Sequence, residues 1–414
     1  MRRRHFLSQT ILGISVSSHA LTEIDSPSSL VATTLSNDIS PSRPLRVGII
    51  GHTGRGNYGH GLDIVWKEFP QIEIAGLADA NQEGRLQAAH RLGLKKSAAF
   101  ADYHRMLAEV RPDFVSICPR HPDQHLAMCE AAIAHGASGI YMEKPFCRTP
   151  SEGDEIIRLA QNKGVAVSVA HRNRYHPVVH FIKKLMEQGA MGKILEIRGR
   201  GKGDHRGGGE DLWVLGTHVL NLIHFLAGNP ESCRASIYTN GRPAQEKDVY
   251  PGNEALGAIV GQEIHAEFRM QSGISAYFDS IKDDDTGGIG FGLEIVGSRA
   301  TVKILCDRDP VAFIRYGNPF ATSDSQWKPL RDEMTSDKSL LEKSIRETRN
   351  HVLPVRDLIQ ASHDGRDPLC SAADGLVSVE MVHAVFHSHF AGGSSIQLPL
   401  ENRGNCLSQF LLQP

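Results

Sequence analysis

Three consecutive residues, Glu143-Lys144-Pro145, directly follow a short apolar segment, residues 139–142, that is typical of a buried strand. A lysine at the carboxyl end of such a strand faces the crevice where open α/β sheets bind ligands. There it can donate a hydrogen bond to a substrate hydroxyl or polarise a carbonyl. Pro145 disfavours helical backbone at Lys144. We therefore predict a catalytic Lys144 and a cofactor-binding Glu143; a surface Lys–Glu pair in a loop is the alternative.

A second segment whose residues could bind a ligand is rich in glycine and spans residues 51–61 (GHTGRGNYGHG). It follows the apolar run 45–50, which is typical of a buried parallel strand. We expect a helix to follow, with these residues on its apolar face: Leu62, Ile64, Val65 and Phe69. Strand, glycine loop and helix N-terminus form a phosphate cradle, because glycines let the backbone approach a pyrophosphate and the helix end offers free N–H groups. The residues predicted to bind a dinucleotide here are Gly51, Thr53, Gly54, Arg55 and Gly56.

The glycine spacing departs from the usual fingerprint. Counted from the end of the strand, Thr53 stands where G-x-G-x-x-G has its second glycine. A literal match occurs three residues later, at Gly54, Gly56 and Gly59. By itself such a match is weakly specific.

An acidic residue after the next strand strengthens this prediction. The apolar run 72–78 indicates a second strand and ends at Asp79, 28 residues after Gly51. An aspartate there can accept hydrogen bonds from an adenosine ribose diol and repel a 2′-phosphate. Asp79 therefore predicts NAD, with NADP less favoured; a solvent-exposed turn aspartate is the alternative.

Helices and strands must alternate to position these residues. Helical patterns cover residues 85–94, 103–110, 121–135 and 151–163, and strand patterns cover 113–118, 139–142 and 165–170. This alternation predicts a doubly wound α/β Rossmann domain over residues 45–170. The segment after the strand 113–118 also lies at the crevice, and we assign cofactor binding to Pro119 and His121.

The glycine loop, the acid after strand two and Glu-Lys-Pro, in this order, resemble the Gfo/Idh/MocA family of glucose–fructose oxidoreductase and inositol dehydrogenase. Further resemblances are Asn173-Arg174-Tyr175, residues 189–193 and Gly216-Thr217-His218. The resemblance implies NAD(P) redox at a secondary hydroxyl of a sugar or polyol. It also implies an α+β C-terminal domain with a large, mostly antiparallel sheet, here residues 171–400, for the substrate and for a homo-oligomer interface. Lys144 and His218 match the family's catalytic lysine and histidine.

This chain departs from the family at two positions. Val214 stands one helical turn before His218, where the family often has aspartate, and Asn221 stands where it often has another. Asp211 lies two turns before His218 on roughly the same face and is a conjectural substitute. The proton relay is therefore altered.

The segment 201–213 combines charged residues and a tryptophan on a glycine-rich turn, as hydroxyl-rich ligands require. A plain solvated loop is the alternative. The predicted substrate residues are Asn173, Arg174, Tyr175, Asp204, Arg206, Asp211, Trp213 and Asn221. We predict no metal, because His205, Asp204 and Glu210 lack a ligand spacing and the seven cysteines include no C-x-x-C pair.

The N-terminal residues indicate export. Residues 1–20 contain three arginines, an apolar run and a small-x-small site, and residues 3–7 resemble a twin-arginine signal. A Sec leader or an amphipathic tail is the alternative. Residues 21–44 predict a flexible linker. We expect a periplasmic protein with tightly bound NAD, because an exported enzyme cannot exchange its cofactor freely.

Composition and charge limit the classes of molecule that we expect this protein to bind. The 414 residues are 40% hydrophobic and 22% charged, with a net charge of −2, which is typical of a soluble globular protein. No basic stretch follows the leader, and no later apolar run could span a membrane. We therefore expect neither nucleic acid nor stable membrane insertion, and a carbohydrate-like substrate. A redox-cycling glycosidase or lyase, and a non-catalytic sugar-binding protein, remain alternative functions.

Overall fold

The computed structural model describes residues 43–286, 290–321, 325–334 and 337–411. The predicted leader and almost all of the predicted linker lie outside these residues. Within them, no helix has the length and apolar character that a membrane crossing requires. The chain forms two large sheets, each with helices packed against it.

The first sheet confirms the doubly wound prediction. Its strands are β1 (Leu45–Ile50), β2 (Ile72–Ala78), β3 (Ala99–Phe100), β4 (Phe114–Ile117), β5 (Gly139–Met142) and β6 (Ala166–Val169). They pair in the order β3-β2-β1-β4-β5-β6, and every pairing is parallel. The connecting helices are α1 (Gln82–Leu92), α2 (Tyr103–Val110), α3 (His125–Ala134) and α4 (Pro150–Lys163).

The helix expected directly after the glycine loop is absent, and that prediction was wrong. Residues 52–64 form turns, and only a short 3₁₀ helix, Val65–Glu68, follows. Several loop glycines have positive φ, a conformation incompatible with a continuing right-handed helix: Gly54, Gly56, Gly59 and Gly61. Of the expected apolar face, Leu62, Val65 and Phe69 are buried, whereas Ile64 is exposed.

The second sheet is ten-stranded, and its pairings are antiparallel except that between β7 and β13. Its strands are β7 (Ile194–Arg200), β8 (Pro230–Thr239), β9 (Arg242–Pro243), β12 (Glu263–Met270), β13 (Ser275–Ile281), β14 (Phe291–Gly297), β15 (Ala300–Cys306), β16 (Ala312–Tyr316), β17 (Lys328–Pro329) and β18 (Ile396–Gln397). Between β9 and β12, β10 (Tyr250–Pro251) and β11 (Ala258–Ile259) form a separate pair. This confirms the expected large, mostly antiparallel sheet.

Helices from the second half of the chain pack against both sheets. They are α5 (Pro177–Glu187), α6 (Thr217–Ala227), α7 (Lys338–Arg349), α8 (Val352–Asp364) and α9 (Ala372–Phe390). The chain breaks between α7 and α8 at His351, whose φ is 62°. The helix α8 then packs on the first sheet, where Val355 and Leu358 share a buried cluster with Val47. It thus supplies apolar cover on this sheet, which lacks the expected helix after β1.

The helix α6 carries His218 and lies on the second sheet. A Cβ atom at Gly199 of β7 would meet the Val219 side chain at 2.7 Å, so glycine at this position allows close approach of helix and strand. The site is therefore built where the ends of β5 and β6 meet the start of α6.

Candidate active site

Lys144 follows β5 and crosses to the second domain. Its Nζ donates a 2.8 Å hydrogen bond to the carbonyl oxygen of Val214, in a π-helical turn (Leu212–Gly216) that leads into α6. The side chain is buried, and burial lowers the pKa of Lys144. A π turn in a helix often marks a functional site, and here it leads directly to His218.

His218 lies in the first turn of α6, four residues after Val214. It is half-buried, and its Nδ1 has no hydrogen-bond partner among the described residues. Burial, then the charge of Lys144, lower the pKa of His218 well below its usual range. The ring is therefore a neutral imidazole beside an ammonium group, as a proton acceptor requires.

His171 was missed in the sequence. It follows β6, is 2% exposed, and its ring stands perpendicular to that of His218 with 5.3 Å between centroids. Its Nδ1 also lacks a partner in the described part of the chain. Burial, with Lys144 next, lowers the pKa of His171 to about 3. Its position at the carboxyl end of a parallel strand was a signal that could have identified it.

Glu143 is buried under the glycine loop. Its carboxylate accepts hydrogen bonds from the His60 backbone N–H (3.1 Å), His60 Nδ1 (2.9 Å) and the Lys144 N–H (2.9 Å). Burial alone would raise the pKa of Glu143, but the His60 bond and the Lys144 charge bring it to about 2. Glu143 is thus ionised, and His60 is a further site residue that the sequence reading missed.

Asp79 is held by the same loop. Its carboxylate accepts from Thr53 Oγ1 (2.6 Å) and the Thr53 N–H, from the Tyr58 hydroxyl (2.9 Å) and from the Asn81 N–H (2.9 Å). Burial and the Asp79 charge raise the pKa of Tyr58, so its hydroxyl remains a donor. A carboxylate has about four acceptor sites, and protein donors use them here.

The space between these residues suits part of a dinucleotide. A cavity of about 220 Å³ lies at the carboxyl ends of β1 and β2, lined by Gly51, His52, Asp79 and Ala80 among others. A Cβ at Gly54 would meet no atom within 4 Å, so this glycine leaves open space beside the loop. The cavity and the open glycine fit an adenosine half. The carboxylates of Asp79 and Glu143 already accept hydrogen bonds from loop residues. A ribose hydroxyl that bonds either carboxylate would have to replace one of these donors or share the acceptor oxygen with it.

The other predicted cofactor residues lie around the loop. Arg55 pairs with Asp123 at 2.5 Å, and the Pro119 carbonyl oxygen is 2.8 Å from a ring nitrogen of His125. His121 begins the turn that leads to α3, and burial lowers its pKa. A Cβ at Gly56 would meet the Arg120 nitrogen at 2.3 Å, so the loop packs directly on the segment after β4.

The predicted substrate residues do not form one group. Asn173 follows β6, and its Nδ2 has no partner in the described part of the chain. Four others lie in the interior towards α8 and α9: Arg174 pairs with Asp374, Tyr175 donates to Asp357, Asn221 donates to Ser378, and Trp213 packs against His383. These bonds position helices; contact with substrate stays a prediction for these residues.

Three further candidates lie on the turn before α6. Asp204 and Arg206 pair with each other at 2.6 Å. Asp211 accepts from Ser280 Oγ at 2.6 Å and from the Lys202 N–H. The structure thus directs Asp211 to β7 and β13, and it does not place this carboxylate beside His218.

Among the described residues, no cluster of histidine, cysteine and acidic side chains has the geometry of a metal site.

A six-stranded Rossmann sheet, a glycine loop at its ligand edge, and a lysine that reaches across two domains to the turn before a histidine define a dinucleotide-binding oxidoreductase fold. The chain belongs to the GFO_IDH_MocA oxidoreductase family: residues 45–171 match its NAD-binding Rossmann fold, and residues 165–398 match its C-terminal alpha/beta domain.

Named relatives are sugar dehydrogenases. Levoglucosan dehydrogenase of Pseudarthrobacter phenanthrenivorans is 29% identical over 205 residues, which cover 45% of this chain and 50% of that protein. D-apiose dehydrogenase of Paraburkholderia graminis is 26% identical, with 78% and 82% covered. A solved levoglucosan dehydrogenase in complex with NADH and levoglucosan has a TM-score of 0.65 at 20% identity, covering 86% of this chain and 99% of that one. The chain spans about half the length of the first two curated relatives that it matches.

Proposed function

We propose that this protein is an NAD(P)-dependent oxidoreductase that acts on a secondary hydroxyl of a sugar or polyol. The observation that carries the proposal is the hydrogen bond from Lys144 across the two domains to the Val214 carbonyl, one turn before the neutral, half-buried His218. The sugar dehydrogenases among its relatives support the substrate class.

Lys144 and His218 have different roles because their protonation states differ. The Lys144 ammonium donates to the substrate oxygen and orients it, while His218 accepts the hydroxyl proton. When bound, the nicotinamide accepts the hydride. Burial of Lys144 excludes water from the oxygen that it holds, which strengthens the polarisation. The carboxylate of Asp79 favours NAD over NADP, because a 2′-phosphate would face a buried negative charge.

The first experiment tests substrate and cofactor together. Purified protein is incubated with NAD⁺ or NADP⁺ and with levoglucosan, scyllo-inositol or D-apiose, and NADH formation is followed by absorbance. We expect oxidation of at least one sugar with NAD⁺, and a much slower reaction with the Lys144→Met variant. Binding of a sugar with no binding of either nucleotide would instead indicate a non-catalytic sugar-binding protein.

A redox-cycling glycosidase or lyase is the second candidate. Val214 replaces the family's frequent aspartate, and Asp211 is bonded elsewhere, so in the described part of the chain His218 Nδ1 has no carboxylate partner to support net dehydrogenation. Such an enzyme would retain NAD through its cycle. Denaturing the protein purified after export and weighing the released nucleotide by mass spectrometry tests this: stoichiometric NAD(H) supports cycling, and nucleotide-free protein opposes it.

Export and assembly complete the proposal. Residues 1–20 direct the folded protein to the periplasm by the twin-arginine route, which carries proteins already loaded with cofactor. Replacing Arg3 and Arg4 by lysine should leave the protein in the cytoplasm. The mature protein forms a homo-oligomer, which light scattering on the purified protein would measure.

A further inference from the structure

The rings of His171 and His218 come from different domains and meet edge to face. Their centroids are 5.3 Å apart and their planes are perpendicular. In the described part of the chain, both Nδ1 atoms are buried without a hydrogen-bond partner. A buried polar atom without a partner is costly, so two of them together at the end of a ligand crevice indicate a missing polar ligand.

Among the described residues, no carboxylate is hydrogen-bonded to His218 Nδ1. Val214, one turn earlier, offers only its backbone carbonyl, which Lys144 already uses. Asp211 is bonded to Ser280, and Glu143 accepts from His60 and from the Lys144 backbone. His171 is the polar side chain in ring contact with His218 among the described residues.

We propose that His171 is a positioning residue for the redox reaction: it holds the His218 ring and the substrate hydroxyl in line, in place of a carboxylate. The inference rests on the proposed function. During oxidation the hydroxyl proton passes to His218, and the hydride passes from carbon to the bound NAD⁺, leaving a carbonyl. His171 takes no proton in this step: its ring N–H donates a hydrogen bond to the hydroxyl oxygen, while the hydroxyl's own proton faces His218.

Charged groups near His171 fit this role. Lys144 and Arg174 place positive charge near the ring, and Glu143 adds one negative charge. The two cations disfavour an imidazolium, so the ring stays neutral and has one N–H to donate to the hydroxyl oxygen. A protonated His171 would instead repel the proton that His218 must accept.

The experiment compares His171→Leu with His171→Asn, whose amide can replace one ring nitrogen. We expect kcat on the best sugar of the panel to fall about 100-fold for leucine and about 10-fold for asparagine, as misalignment at a reacting centre does. KM should change less than kcat. In a cycle with His218→Leu, the double variant should lose less than the product of the single losses.

A second readout does not depend on activity. In protein labelled with ¹⁵N-histidine and saturated with NAD⁺, His171→Leu should shift the ring nitrogen signals of His218, and levoglucosan should shift them less than in the wild type. His383→Leu is the matched control, because His383 is buried with an unpartnered Nδ1 but packs against Trp213, among the described residues. It should leave kcat and the His218 signals unchanged.

Two results would overturn the inference. One is unchanged kcat in His171→Leu when the wild type oxidises a sugar. The other is a set of His218 signals that His171→Leu leaves in place. If the wild type oxidises no sugar at all, the proposed function fails, and the His218 spectrum still decides whether the two rings are coupled.

Discussion

The Nζ atom of Lys144 donates a 2.8 Å hydrogen bond to the backbone carbonyl oxygen of Val214. Lys144 lies two residues after β5 of the first domain, and Val214 lies in the π turn before α6 of the second. The contact therefore joins the two domains at the reacting end of the crevice. Because valine has no polar side chain, it is the backbone carbonyl of Val214 that accepts from the ammonium group.

Replacing Lys144 by methionine removes the charge and the donor but keeps the length of the side chain. We expect kcat/KM to fall by about 10²–10⁴, the range for a positioned proton-transfer group. The Val214 carbonyl also loses its buried donor, which costs about 1–3 kcal/mol in stability. Steady-state kinetics and urea unfolding measure the two effects. Lys183→Met, on a half-exposed position of α5, is the control, and full turnover by Lys144→Met would remove the catalytic role.

Val214→Asp would place a carboxylate one turn before His218. Burial and Lys144 now lower the pKa of His218, and a nearby negative charge would raise it. Since His218 must be unprotonated to accept a proton, the acid limb of the kcat/KM profile should move to higher pH. Val214→Asn has the same shape without the charge and should not move the limb. An equal shift in both variants would contradict this electrostatic explanation.

The Tyr58 hydroxyl donates to Asp79 at 2.9 Å and helps to hold the glycine loop on β2. Tyr58→Phe should lower the free energy of unfolding by about 1.5–3 kcal/mol, because the lost bond is to a charged acceptor. It also frees one oxygen of Asp79, so NAD⁺ should bind more tightly if that carboxylate contacts the ribose. Urea unfolding and calorimetric titration measure the two effects, with Tyr316→Phe on β16 as the control.

Asp79→Ala separates the two roles of this carboxylate. It leaves the donors of Thr53 and Tyr58 without an acceptor and removes any ribose contact. We expect both lower stability and weaker NAD⁺ binding than in the wild type. A variant that is less stable but binds NAD⁺ as well as the wild type would show that Asp79 only fixes the loop.

Most strands of the first sheet were predictable because each is a short apolar run ended by polar residues or glycine. The loop after β1 was not, because its glycines have positive φ and α8 covers this sheet from far along the chain. Local periodicity does not contain that contact. The apolar residues 62–69 are spaced for a helix, yet they are buried in turns and a 3₁₀ segment.

Local sequence patterns also predicted only some of the residues of the candidate active site. Lys144 stood out because a strand end and a proline mark it, and His218 stood out through the family resemblance. His171 and His60 depend on which side chains meet across the crevice, and no local pattern specifies that. The reverse holds for Tyr175 and Trp213: their types suit a sugar ligand, but tertiary packing places them in the core.

Buried histidines make the fold sensitive to acid. Burial lowers the pKa of several of them, to about 3 for His171, His176 and His351 and to about 4 for His180 and His383. Their folded pKa lies below the unfolded value of 6.5, so the unfolded chain binds more protons once the pH falls below 6.5. The stability that they contribute is therefore complete above pH 6.5 and is lost on acidification towards their folded pKa values. Each should cost about 1 kcal/mol per pH unit in that window.

Urea unfolding from neutral pH down to about pH 5 measures this slope, which linkage ties to the difference in bound protons. Glu143, with a pKa of about 2, does not contribute there. The stability that its ionised carboxylate contributes is lost only as the pH falls below its unfolded pKa of 4.5. His383→Leu removes one proton site from the unfolded chain, so its slope should be smaller by one histidine. A free energy of unfolding that stays constant through this range would mean that these imidazoles bind protons as readily in the folded protein as in the unfolded chain.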